Sequence, residues 1–162
     1  MNKKWLTIEK TAGVIITVWG MVTLYSVSSN IYSMVSTGFA QTLAASYLQI
    51  FQKNHLSIVV SIVSIFGGIL LLYGDKPGWI LSVTGSCLFA VILFMSATDN
   101  KNDATQTARF FYQSYSVMAI IFAVITILLL QKPFREKYKP TTKNWRIIGL
   151  ILLIAIIDKI LL

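Results

Sequence analysis

The sequence predicts an all-α polytopic membrane bundle: a single domain of four transmembrane spans and a short fifth, with an amphipathic interfacial helix between spans one and two. Three observations carry this. Of 162 residues, 56% are hydrophobic and only 12% charged, about half the charged share of a soluble domain. The mean hydropathy is +0.71. The apolar residues are gathered into long runs rather than spread at amphipathic spacing, which is the pattern a bilayer selects.

The first span covers residues 12–30, behind Lys3, Lys4 and Lys10. Its apolar run exceeds the roughly 7–15 residues of a signal-peptide core, and no small-x-small cleavage site ends it, so it reads as a signal-anchor. Its second half turns polar through Ser26, Ser28, Ser29 and Asn30. Residues 39–53 follow. At about 100° per residue, Phe39, Leu43, Tyr47 and Phe51 fall on one half of a helical wheel, and Gln41, Gln49, Gln52 and Lys53 on the other. That split predicts a helix lying on the membrane surface or over the bundle mouth.

Spans two and three, residues 56–73 and 78–97, flank the turn Gly74-Asp75-Lys76-Pro77-Gly78, which predicts an antiparallel hairpin bordered by Tyr73 and Trp79. A polar connection leads to span four, residues 110–130, which opens on Phe110, Phe111, Tyr112 and Tyr115. A basic stretch then runs to Arg146, where Pro133 and Pro140 are expected to break any helix. The fifth span, 146–162, is marginal in length and interrupted by Asp158 and Lys159. Spanning, with both charges at the far interface, is favoured over a part-way dip or a surface position.

Orientation follows from Lys and Arg. They crowd the N-terminal tail and the segment after span four, so the positive-inside rule places the N-terminus in the cytoplasm. The net charge of +8 lies beside apolar runs, which points to anionic lipid headgroups rather than nucleic acid. The basic inner segment is Lys132, Arg135, Lys137, Lys139, Lys143 and Arg146. Besides fixing topology, it is a candidate dock for an acidic protein partner.

Small residues give the second signal. Ser57, Ser61, Ser64 and Gly68 share an arc of span two, and Gly78, Ser82, Gly85 and Ser86 share one on span three. Small side chains let helix backbones approach, so these faces are expected to pack on each other across the turn. The competing reading is a serine-lined polar path.

Catalytic chemistry finds little support. The sequence has one His and one Cys, so neither a disulfide nor a His/Cys metal cluster can form within the chain. Cys87 reads as a small hydrophobe. No HExxH, GxSxG, Walker A or GxGxxG motif is present. His55 reads as an interfacial residue, with Asp99 or Asp103 as conceivable spatial partners. The cluster Asp99, Asn100, Asn102 and Asp103 reads as a solvated loop. Glu9 reads as a solvated interface charge, and Asp158 as the polar end of a short helix. The centres of spans one to four carry no charge, which argues against a proton-coupled transporter.

The expectation is therefore a non-enzymatic protein without catalytic, cofactor or metal site. It would be an accessory or scaffold subunit acting through helix packing and its basic segment, alone, as a homo-oligomer or with a protein partner. An oligomeric pore or small-solute transporter, and a membrane-embedded lipid-modifying enzyme, are the alternatives.

Overall fold

The computed structural model describes residues 2–36, 44–100 and 106–161. Six helices occur among them: α1 (Lys3–Ser36), α2 (Ala44–Tyr73), α3 (Lys76–Asn100), α4 (Gln106–Leu129), α5 (Lys132–Tyr138) and α6 (Thr142–Leu161). Four of them (α1 to α4) are long and apolar enough to cross a membrane.

Consecutive helices pack as antiparallel neighbours, α1 on α2, α2 on α3 and α3 on α4, and α6 packs back on α3. That makes α3 the central element. Trp79, Val83, Leu88, Phe89 and Leu93 on α3 join Ile16, Val60, Leu71, Phe122 and Leu129 in the core. Outward faces stay apolar: Val18, Phe66, Ile120, Ile127, Leu150 and Ile154 are exposed, as a lipid solvent requires.

Helix α1 extends past the expected 12–30 at both ends, to Lys3 and Ser36, and two further segments differ from the sequence reading. The amphipathic segment was expected to lie apart from span two. Its described part, from Ala44 onward, is instead the first turns of α2, which runs unbroken for 30 residues. No Gly or Pro stands between Ala44 and Leu56 to end a helix, and the Asn54 side chain donates to the Ile50 carbonyl one turn back (2.8 Å). Residues 39–43 of that reading lie outside the described residues. The basic stretch was expected to be non-helical, yet α5 forms there. Pro133 falls in its first turn, where the missing N–H would have had no intrahelical acceptor. Pro140 does act as a breaker, in the gap between α5 and α6, whose axes differ by 115°.

The α2–α3 turn is as tight as its composition implies. Gly74 takes a left-handed conformation (φ 82°). Its N–H donates to Leu71 O (3.0 Å) and that of Asp75 to Leu70 O (3.1 Å), closing the C-terminus of α2.

Candidate functional site: a buried polar knot and the packing seams

Glu9 is fully buried. Both carboxylate oxygens accept from Lys137 Nζ at 2.7 Å, and the Tyr138 hydroxyl donates to Oε1 at 2.9 Å. The reading of Glu9 as a solvated interface charge is thus corrected. The helical register explains why. Glu9 continues the buried stripe Ala12, Gly13, Ile16, Thr17 and Gly20 down α1, so the face that packs on the bundle carries the carboxylate in with it. Burial is tolerable because a cation and a hydroxyl satisfy it.

The knot gathers every element at its end of the molecule. Lys10 Nζ donates to Leu72 O at the end of α2. Lys76 Nζ donates to Lys139 O (2.8 Å), and Lys139 closes α5 in a left-handed conformation (φ 43°) with its N–H on Arg135 O. Trp79 stacks on Tyr138 with ring centres 5.9 Å apart. It meets Trp145 edge-on at 5.8 Å and donates its indole N–H to Leu129 O (2.9 Å). Trp5 packs edge-on against Phe134. Burial, the bond to Glu9 and the negative charges of Glu9 and Asp75 raise the Tyr138 hydroxyl far above its ordinary range. It is a fixed donor, and no base at physiological pH.

The basic segment is therefore divided. Lys137 turns inward to Glu9. Lys132, Arg135, Lys139, Lys143 and Arg146 are exposed, with Lys132 reaching Glu136 at 3.7 Å. Phe134 and Tyr138 are buried on the opposite side of α5, so this short helix is apolar toward the bundle and basic toward solvent.

The small residues form two seams where the sequence suggested one. Between α2 and α3, a Cβ on Gly78 would fall into the backbone of Leu70 and Leu71, and one on Gly67 would come within 2.9 Å of Leu81 C and Ser82 N. Gly85 lies against Ser64. Ser64 and Ser82 are buried with hydroxyls that have no partner, so they act in this seam by their size. Gly68 faces the other way. Its Cβ would collide with Thr17 Oγ1 and sit 2.6 Å from Gly13 O, while a Cβ on Gly20 would sit 2.9 Å from Ser61 O. Ser61 returns its hydroxyl to Ser57 O (2.6 Å). Ser86 receives the Thr126 hydroxyl from α4 (2.9 Å) and donates to Ser82 O (2.7 Å). Ser57 lies outside both seams, on a cavity wall at the far end of the bundle.

At that far end His55 Nε2 stands 3.0 Å from Asp158 of α6, and Nδ1 lies 2.6 Å from Gln52 O. The partner of His55 is thus the acid of the terminal helix, separated from it by the whole of α3 and α4. Asp103 and Asn102 lie outside the described residues, as do the side chains of Asp99 and Asn100. Among the described residues no three His, Cys, Asp or Glu side chains gather to hold a metal.

Comparison with protein-family models, curated proteins and solved structures finds no match.

Proposed function

We propose that the chain is a small non-enzymatic integral membrane protein. It acts as an accessory or scaffold subunit, holding a rigid bundle in the bilayer and offering a basic cytoplasmic face to anionic headgroups and to an acidic protein partner. The supporting observation is where the polar residues go. Ser61, Ser64, Ser82 and Ser86 are buried between closely approaching helices, which favours packing over the serine-lined path a pore needs. The lipid-modifying alternative loses ground at His55. Both its ring nitrogens are engaged, by Gln52 O and Asp158, so neither is open to act as a base on a substrate.

The orientation belongs to the same reading. Ten of the 14 Lys and Arg residues lie in the N-terminal tail, the Gly74 turn and the segment around α5. By the positive-inside rule that end is cytoplasmic. The exposed cations of α5 and the start of α6 are each worth about 1 kcal/mol of attraction near an anionic leaflet.

The test is reconstitution in liposomes with an ion- and solute-flux screen, coupled to photo-crosslinking in native membranes from a probe at Arg135. Silent liposomes and a discrete protein adduct, lost when Lys132, Lys139 and Lys143 become Glu, are expected. Flux above that of protein-free vesicles, or crosslinks to lipid only, would overturn the accessory reading.

A further inference from the structure

Helix α6 is thinly held. It packs on α3 through one apolar stripe, Ile148, Leu152 and Ala155, while Leu150 and Ile154 face outward. A contact fastens it near each end. At the knot Trp145 meets Trp79. At the other end Asp158 Oδ2 stands 3.0 Å from His55 Nε2.

The His55 ring fixes how many protons this second contact needs. Nδ1 lies 2.6 Å from the backbone carbonyl of Gln52, which can only accept, so Nδ1 carries a hydrogen. Nε2 faces a carboxylate oxygen. A neutral ring with its hydrogen on Nδ1 would turn a lone pair toward that oxygen, and two acceptors repel. Moving the hydrogen to Nε2 only transfers the conflict to Gln52 O. Both contacts hold together when one further proton sits between Nε2 and Oδ2, on the ring as an imidazolium or on the acid as a carboxyl hydrogen. Histidine as a class gains and loses its charge between about pH 5 and 8. The two side chains are 27% and 29% exposed, so the medium can supply and remove this proton.

We propose that His55 and Asp158 form a proton-operated tie, which fastens the far end of α6 to α2 in acid and lets it go as pH rises through the histidine range. The tied state binds one proton more than the released state, so its stability grows as pH falls. The Gln52 contact lies within α2 and persists in both states, so Asp158 is the group released. Under the positive-inside reading the tie faces the non-cytoplasmic medium. It does not depend on the accessory reading, because it works within one chain. Other ionisable residues stand on the neighbouring helices. Beyond Lys10, α1 has only Tyr25 and Tyr32, of a class that stays neutral through this range. Between Lys76 and its end, α3 has Cys87 and Asp99. The side chains of Asp99, of Lys53 on α2 and of Lys159 on α6 lie outside the described residues.

The test is thermal unfolding of the full chain in micelles at about pH 5 and about pH 8, for wild type, His55→Gln, Asp158→Asn and the double variant. In acid each single variant should melt below wild type and the double variant no lower than they do, the non-additivity of a contacting pair. At the higher pH that non-additivity should vanish, and with it the wild-type advantage over Asp158→Asn. Groups common to all four proteins cancel in the comparison, Lys53, Asp99 and Lys159 among them. A second measurement needs no variant to fold. His55 is the only histidine, so isotopic labelling of histidine nitrogen gives one imidazole signal from the wild type. It should report a doubly protonated ring in acid and hydrogen on Nδ1 alone at the higher pH. Additive single effects in acid, a coupling that is equal at both pH values, or a neutral ring with its hydrogen on Nε2 overturns the tie.

Discussion

Glu9 holds a buried carboxylate on α1 against a lysine and a tyrosine about 130 residues away in sequence. The arrangement makes a sharp energetic prediction, because removing the partly exposed Lys137 cation leaves the buried Glu9 carboxylate without its counter-charge. Lys137→Met should destabilise the folded protein by about 3 kcal/mol. The double variant Glu9→Leu with Lys137→Met should recover much of that loss, and denaturant unfolding in mixed micelles measures both. Strict additivity would mean the two groups act separately. Tyr138 adds a pH signature. Its folded hydroxyl titrates well above the ordinary value of 10, so the unfolded chain loses this proton first. Stability from this group is complete below pH 10 and declines as pH rises through and beyond it. Tyr138→Phe should flatten that part of the wild-type stability profile while keeping the ring against Trp79. Part of this site was legible in the sequence. The spacing Glu9, Ala12, Gly13, Ile16, Thr17, Gly20 is one helical face of small residues, and reading it as a packing face would have drawn Glu9 inside. Lys137 carried no such mark, since six cations of the same segment look alike until α5 folds and turns one of them inward.

Single glycines decide how the helices meet. At Gly78 a Cβ would strike the Leu70–Leu71 backbone, which cannot rotate away. Gly78→Ala should therefore separate α3 from α2 and lower Tm sharply, with a cost above the roughly 1–3 kcal/mol usual for overpacking. Gly149 on α6 meets nothing within 4 Å. Gly149→Ala should be neutral or stabilising by up to about 1 kcal/mol, the helix-propensity gain alone. A fall in Tm at Gly149→Ala comparable to that at Gly78→Ala would show that close approach is not what distinguishes these two positions. The hairpin of spans two and three was readable because breaker residues and hydropathy agree there. The division into two seams was not, because Ser61, Ser64 and Gly68 lie within one arc of α2 and only the placement of α1 decides which of them it takes. The helical start of α2 was obscured for a related reason. An amphipathic wheel shows that a segment is helical, but does not show whether it bends away from the next span or continues into it.

Across the whole molecule, the open question is what α6 does. Its hydrophobic stretch is short, and sequence length alone left its path ambiguous. The ends of the helix supply what length does not. α6 starts beside the knot, where Trp145 meets Trp79, and its Asp158 reaches His55. His55 lies 19 residues before the Gly74 turn on α2, roughly 28 Å along a helix and thus about the depth of a bilayer core. In a membrane crossed by α1 to α4, a helix joining those two levels is expected to cross as well, which predicts five crossings and a C-terminus opposite the N-terminus. Single cysteines in a Cys87→Ala background test this with a membrane-impermeant thiol reagent on sealed cells. A cysteine appended after Leu162 should label from the same side as Tyr32→Cys, while Lys132→Cys should label only after permeabilisation. If the appended cysteine instead follows Lys132→Cys, α6 returns to its starting side. The contact between Asp158 and His55 would then have to break in the membrane, and Asp158→Asn would leave Tm unchanged rather than lowering it.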